Sequence, residues 1–520
     1  MIPSLIHSIK SDGKNKCIEL IETHISWILL TGEFAYKIKK PINLGFLDFS
    51  SLEKRRFYCE EEIRLNSRFA PDIYLEVLPI TRLNQQIQLN GSGEIIDYAV
   101  KMKQFPKNAE LDFIVKSHQL KNNHIDQLAE IIAEFHKQIE SDQPTGSWGT
   151  ADQAHQSTLD TFTSLFNNLH DSSEKKDIEK IQQWINANFS EHRKIFQQRH
   201  EQSYVRECHG DLHLRNIALI NDKIVLFDGI EFSESLRWID VISEIAFLMM
   251  DLQHQNLNAF AYRFLNAYLE HTGDYRGLLL LPYYLVYRTI VRAMVAALRA
   301  NQDDVNEKQR ETLYAEFIAY KKLANDYIHS RKPILFICHG LSGSGKSTIT
   351  QELLEHLPAI RIRSDVERKR LFGFEKYQKT ESSIGKNIYS GNASESTYET
   401  MKNLAGDVLD AGYHTIIDAT FLSEHQRIAF HKLAREKHSS FVILHFHAPE
   451  NVLRERIKKR GKNLKEVSEA DLKVLDYQLK TCDRLTQAEQ DHSFTIDTQQ
   501  NFNYIDFEKS LLSLLKNNCL

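Results

Sequence analysis

Cysteine is sparse in this chain: six residues in 520, at 17, 59, 208, 338, 482 and 519, without one C-x-x-C pair. Neither a disulfide framework nor a cysteine zinc site is indicated, and a reducing cytoplasm suits such usage. Long apolar runs are missing too. The longest, "GLLLLPYYLVY" at 277–287, is short, interrupted by Pro282 and bounded by arginines, so no membrane span is expected. The opening "MIPSLIHSIKSDGKNK" lacks a basic segment followed by a continuous apolar one, so no export signal is expected. No 20-to-50-residue repeat or low-complexity tract occurs, which sets solenoids aside. Strong charge of one sign is also absent. The formal net charge is -5, with 28 basic and 25 acidic residues from Arg331 onward. That excess is too small for a nonspecific nucleic-acid protein, although a local groove is compatible with it.

What is present is length enough for two to four domains and a sharp change of texture near residue 330. The polar, helix-forming "NQDDVNEKQRETLYAEFIAYKKLANDYIHS" gives way there to "RKPILFICHG". We therefore divide the chain into 1–330 and 331–520. The first part opens with "HISWILLTGEFAYKIKKP", read as a hairpin about "TGE". A helix follows in "SSLEKRRFYCEEEIRLNSRFAP", with Ser50 and Glu53 at capping-box spacing, and then short strands to "IIDYAVKMKQF". From about residue 120 the pattern is mostly helical. The second part alternates strands ("ILFICHG", "AIRIRSD", "HTIIDAT", "FVILHFHAP") with helical segments, the rhythm of a parallel sheet.

"GLSGSGKS", Gly340 to Ser347, satisfies G-x-x-x-x-G-K-[ST] between an apolar strand and a helical segment, which is the context a P-loop requires. Gly340, Ser342, Gly343, Ser344, Gly345, Lys346, Ser347 and Thr348 form the expected phosphate-binding set. Glycines let backbone N–H groups wrap phosphates, Lys346 reaches the β and γ oxygens, and Ser347 ligates Mg²⁺. Other residues favour transfer over hydrolysis. Asp365, 19 residues after Lys346 at the end of "RIRSD", suits the role of proton acceptor from an attacking hydroxyl. Asp418 in "TIIDATF" is followed by Ala419 and Thr420, so the glutamate that activates water in AAA-type ATPases is missing. Arg456 and Arg460 in "NVLRERIKKRG" fall four apart on one helical face, suited to closing over a phosphate.

This pattern resembles the P-loop kinases of the polynucleotide-kinase, zeta-toxin and gluconate-kinase kind over residues 331–520. The resemblance implies Asp365 as general base, Arg368 near the acceptor, Asp418 and Thr420 in a substrate or metal site, and Arg456 and Arg460 as a lid.

In the first part, "HGDLHLRN" and "LFDG" set Asp211 and Asn216 five apart, with Asp228 twelve residues further on. In protein-kinase-type catalysis an Asp serves the acceptor hydroxyl, an Asn five residues later binds Mg²⁺, and a second Asp holds metal across the phosphates. A zinc site from His209, His213 and Asp211 would need a further ligand. The motifs resemble the aminoglycoside phosphotransferase and choline kinase branch of the kinase-like fold. That resemblance implies Lys37 as the phosphate lysine (Lys39 the alternate), Glu61 as its partner in preference to Glu60 or Glu62, and backbone near Met102 at adenine. It also implies Asp240 as a brace of the catalytic loop. The G-x-G-x-x-G loop of protein kinases is absent.

The expected fold is thus an α+β bilobal, protein-kinase-like domain of the aminoglycoside phosphotransferase type, followed by an α/β P-loop domain with a parallel sheet. The expected function is tandem transfer of the γ-phosphoryl of Mg·ATP to hydroxyl acceptors. The C-terminal acceptor would be a nucleic-acid or nucleotide 5′-hydroxyl or a sugar hydroxyl; the N-terminal one, a small molecule or a protein. The alternative makes the P-loop part an ATP switch controlling the first.

Overall fold

Alternation along one strand organises the first part of the molecule. In the computed structural model, which describes residues 1–11, 18–45, 47–139, 148–329, 332–380, 388, 390–460 and 467–517, strand β3 (Phe34–Lys39) turns Tyr36 and Ile38 toward an apolar cluster. That cluster includes Ile2, Leu5 and Ile9 of the helix Ile2–Ser11. Successive side chains point to opposite faces, so Lys37 and Lys39 share the other face.

Two compact units result from the internal packing. One comprises Met1–Leu128, Phe135–Thr163 and Phe196–Asp251; the other comprises Ala129–Glu134, Ser164–Ile195 and Leu252–Leu520. The first unit carries an antiparallel sheet of β1 (Glu19–Glu22), β2 (Ser26–Leu30), β3, β4 (Tyr74–Leu83), β5 (Gln86–Leu89) and β6 (Glu94–Lys103), in the order β1-β2-β3-β6-β4-β5. The expected hairpin is β2–β3. The helix Leu52–Asn66 starts one residue later than the capping-box spacing predicts: Ser51 accepts the Lys54 N–H, while Ser50 bonds Asp48. Two short pairs complete the unit: β7 (Val205–Glu207) with β10 (Trp238–Asp240), and the hairpin β8 (Ile217–Ile220) with β9 (Lys223–Leu226).

The second unit is built on a five-stranded parallel sheet. Its strands β11 (Ile334–His339), β12 (Ala359–Arg363), β13 (His414–Asp418), β14 (Ser440–His447) and β15 (Ser493–Asp497) run in the order β12-β13-β11-β14-β15. Central β11 is buried along its whole length, as a strand covered on both faces must be. Edge strand β15 escapes the sequence pattern because "SFTID" is short and partly exposed. The expected strand through Asp365 ends at Arg363, and Asp365 lies in the first turn of the helix Ser364–Leu371. Residues 330 and 331, where the texture changes, lie outside the described residues. The helices Asn258–Thr272, Leu281–Ala300 and Glu307–Ile328 belong to this second unit. Among the described residues, no helix is long and apolar enough to cross a membrane.

Candidate functional site

In the first unit the turn after β7 is shaped by Gly210. Its φ of +84° suits glycine, and a Cβ there would come within 2.7 Å of the Leu236 carbonyl oxygen. Asp211 follows, with its side chain 37% exposed. Asn216 Nδ2 donates to both the backbone oxygen (2.9 Å) and Oδ2 (3.0 Å) of Asp211. His209 accepts the Asp211 N–H at Nδ1 (3.4 Å) and donates from Nε2 to the Phe227 carbonyl (2.8 Å). Both ring nitrogens thus serve the backbone, which argues against a zinc ligand. The Phe227 N–H in turn bonds the Asn216 carbonyl (3.0 Å), which ties the backbone just before Asp228 to that of Asn216.

Asp228 itself sits at φ +61°, a left-handed conformation uncommon outside glycine. Neighbours hold it there: its N–H donates to Tyr74 Oη (3.0 Å), and Lys37 Nζ bonds its Oδ1 (2.6 Å). Strain held by surrounding bonds is a common mark of a functional position.

Lys37, expected to pair with Glu61, pairs with Glu62 instead. Lys37 Nζ lies 2.8 Å from Glu62 Oε1 and Lys39 Nζ 2.7 Å from Glu62 Oε2, while Lys39 also bonds Glu231. Helical phase is the reason. Arg55, Cys59, Glu62 and Asn66 share the buried face of Leu52–Asn66, whereas Glu61 turns toward Arg64 (2.8 Å). Lys39 is a second cation on the same carboxylate. Met102 lies inside the β6 ladder, opposite Ala35 and Tyr74, and the chain leaves the sheet only after Lys103.

Burial alone would raise the Glu62 carboxyl, but Lys37 and Lys39 hold it down to about 2 from its ordinary 4.5. Glu62→Gln leaves two lysines short of a counter-charge in a buried site, and should lose about 3–5 kcal/mol of stability in urea unfolding. Glu61→Gln should lose less than about 1 kcal/mol. The sign of the pH effect follows from the depressed value. The Glu62 contribution is fully present above pH 4.5 and is lost as pH falls toward about 2. Urea midpoints measured across that window should fall less steeply in Glu62→Gln than in the native chain.

Sequence reasoning missed the carboxylates that hold the loop from beneath. Glu244 accepts the His209 N–H at both oxygens (3.0 and 2.9 Å), and Asp251 accepts that of Leu214 (2.9 Å). Both lie buried on the helix Val241–His254. A signal existed: two acids seven residues apart, hence on one face, inside the apolar "ISEIAFLMMDL". Asp240 instead pairs bidentately with Arg199 (2.7 and 2.9 Å), so any brace it supplies is indirect.

In the second unit the loop from Gly340 to Gly345 joins β11 to the helix Lys346–His356. Lys346 Nζ donates to the carbonyls of Gly340 and Leu341, both at 2.9 Å, and burial pulls its pKa down. Gln478 Oε1 accepts the Ser342 N–H at 2.8 Å. A cavity of about 530 Å³ brings Lys346, Ser347, Asp365, Arg368, Asp418, Thr420 and Arg460 together. Ser342, Gly343, Gly345 and Thr348 also line it. Arg368 is buried, donating to the Ile388 carbonyl (3.2 Å) and Ser394 Oγ (3.3 Å).

Arg456 departs from the expected lid. Its guanidinium donates to Thr498 Oγ1 and O, both at 2.8 Å, and to the Gly343 carbonyl at 3.4 Å. One helical turn separates it from Arg460, and only Arg460 reaches the cavity. Arg456 therefore ties the end of β15 to the P-loop.

Residues 102–281 match the family model described as "Phosphotransferase enzyme family". Residues 335–485 match that of an "AAA domain". The chain is 26% identical over 444 residues to an uncharacterized protein of Mycobacterium tuberculosis, covering 85% of this chain and 86% of that protein. Among solved structures, a choline/ethanolamine kinase family protein from Mesorhizobium loti aligns with TM-score 0.36 at 10% identity, covering 60% of this chain and 94% of that one. A gluconokinase from Sinorhizobium meliloti aligns with TM-score 0.23 at 18% identity, covering 33% and 86%.

Proposed function

We propose that this chain, whose residues 102–281 match the phosphotransferase enzyme family and whose residues 335–485 match an AAA domain, works as a tandem kinase with a separate ATP site in each part. The observation that carries this reading is the single cavity in which Asp365 and Arg368 meet Lys346 and Ser347. A nucleotide switch has no task for a carboxylate placed there; a transferase needs one to accept the acceptor's proton. Asp418, at the end of the strand beside β11, stands where P-loop enzymes keep the carboxylate that joins the loop serine at Mg²⁺. Arg460 supplies positive charge to the transferring group.

At the other site Asp211 takes the acceptor proton, Lys37 holds phosphate oxygens, and Glu62 and Glu231 hold the lysines. Asn216 Oδ1 and the Asp228 carboxylate are hard oxygen donors of the kind Mg²⁺ prefers, and the Asn216 amide nitrogen is already committed to Asp211. The metal, when bound, neutralises charge on the phosphates. The acceptor of the P-loop site is a 5′-hydroxyl of nucleic acid or nucleotide, or a sugar hydroxyl. That of the Asp211 site is a small hydroxylated metabolite or a protein side chain.

The test uses the full chain with γ-labelled ATP, Mg²⁺ and a panel of oligonucleotides, nucleosides, sugars, amino alcohols and cell lysate. Two products are expected, each assigned to its site by its loss in Asp211→Asn or Asp365→Asn. If no acceptor is ever labelled while ATP still binds, the transferase reading gives way to the switch.

A further inference from the structure

All proposed groups of the P-loop site come from residue 340 onward, yet a buried acid from well before it reaches the same strand. Glu270, in the helix Asn258–Thr272, is 3% exposed. It accepts from Arg361 Nη2 (2.9 Å), and Lys376 Nζ (2.9 Å) and Arg363 Nη1 (3.4 Å) lie on its other oxygen. Burial alone would raise its carboxyl, but Arg363, Arg361 and Lys376 hold it well below the usual carboxylate range. Three cations on one desolvated carboxylate form an anchor whose loss strands positive charge.

The helix is also registered against the sheet. One turn before Glu270, Asn266 accepts the Arg361 N–H (2.7 Å) and donates to the Ala359 carbonyl (2.9 Å), so its amide imitates a neighbouring strand at the open edge of β12. The helix end is fixed from the other side, where Arg370 Nη2 donates to the Glu270 carbonyl (2.7 Å). Gly273 makes room for that arginine: φ is +75°, and a Cβ would come within 2.8 Å of Arg370 Nε. These bonds hold both ends of the segment that carries Arg363, Asp365 and Arg368.

Glu270 and Asp418 flank one guanidinium. Arg363 lines the cavity and sets Nε 3.7 Å from Asp418 Oδ2, while Nη1 faces Glu270. Arg361, the next residue on that face of β12, donates from Nη1 to the Ser347 carbonyl at 3.1 Å. Arg361 also donates to Thr350 Oγ1 (3.3 Å) and Gln351 Oε1 (2.8 Å), so its hold on the P-loop helix does not rest on Glu270 alone.

We infer that Glu270 is a positioning residue for phosphoryl transfer at the P-loop site, holding Arg363 at the cavity wall, shared between Glu270 and Asp418. This rests on the transferase reading of that site. Glu270 does not reach the cavity; it acts through Arg363. Without its charge, Arg363 is left with Asp418 as its carboxylate partner, shifts at the cavity wall and draws on the Asp418 oxygen it already approaches at 3.7 Å.

The experiment uses the full chain in an Asp211→Asn background, so that only the P-loop site transfers. The acceptor probes are a 5′-hydroxyl oligodeoxynucleotide and gluconate. Glu270→Gln should lower kcat/KM for the acceptor by about tenfold to a hundredfold, the scale of a misplaced catalytic geometry. KM for ATP should stay within about twofold, and Glu270→Asp should recover part of the loss. Should Glu270→Gln fail to fold, Arg363→Gln, altered at the cavity wall, must give the same split between acceptor and ATP. Acceptor kcat/KM unchanged in either variant overturns the inference alone. No Asp365-dependent product from the parent chain overturns both it and the transferase reading.

Discussion

Asp365→Asn should cut transfer at the P-loop site by ~10²–10⁴-fold while leaving Mg·ATP affinity within about twofold. The substitution keeps the size of the side chain and removes its basicity. Asp365 stands at the cavity wall in the first turn of its helix. The phosphate-binding groups, Lys346 and Ser347, belong to a different helix. In the proposed scheme nucleotide binding and proton acceptance thus sit on separate elements and should separate in measurement. Calorimetry with a non-hydrolysable ATP analogue reads the first; single-turnover transfer of labelled phosphoryl reads the second. A parallel loss of both would mean that Asp365 shapes the nucleotide pocket and is not the base.

Asp211→Asn should remove the other product by a similar ~10²–10⁴-fold. Its fold is expected to survive, because the amide oxygen can still accept from Asn216 Nδ2, which lies 3.0 Å from Asp211 Oδ2. The backbone of the turn is also held independently by Glu244. Urea midpoints should move by less than about 1 kcal/mol. The product that persists in Asp365→Asn must be the one that vanishes here. If one variant eliminates both, the sites are not independent, and the scheme of two separate reactions fails.

Motif spacing carried much of the two sites because consecutive chemistry lies on single short segments. The P-loop, the Asp211–Asn216 pair and Asp228 each sit within a strand–turn unit whose geometry is local. The readings that moved depended on phase or on distant partners. Glu62 displaced Glu61 because a one-residue step on a helix rotates a side chain by about 100°, and only packing on β3 decides which of three glutamates turns inward. Arg456 departs from the expected lid because Thr498, just past the end of β15, claims its guanidinium.

The change of texture near residue 330, most of the strands, the two motifs and the residue types able to do the proposed chemistry were legible in the sequence alone, since hydrophobic period and turn chemistry are local properties. Tertiary structure decided which charges meet. Lys37 and Lys39 share Glu62, Glu244 and Asp251 hold the loop that carries Asp211, and Glu270 gathers Arg361, Arg363 and Lys376 across about a hundred residues of chain. The physical reason is that a buried ion pair is set by desolvation and packing of segments remote in sequence. No local pattern encodes the partner that folding brings within 3 Å.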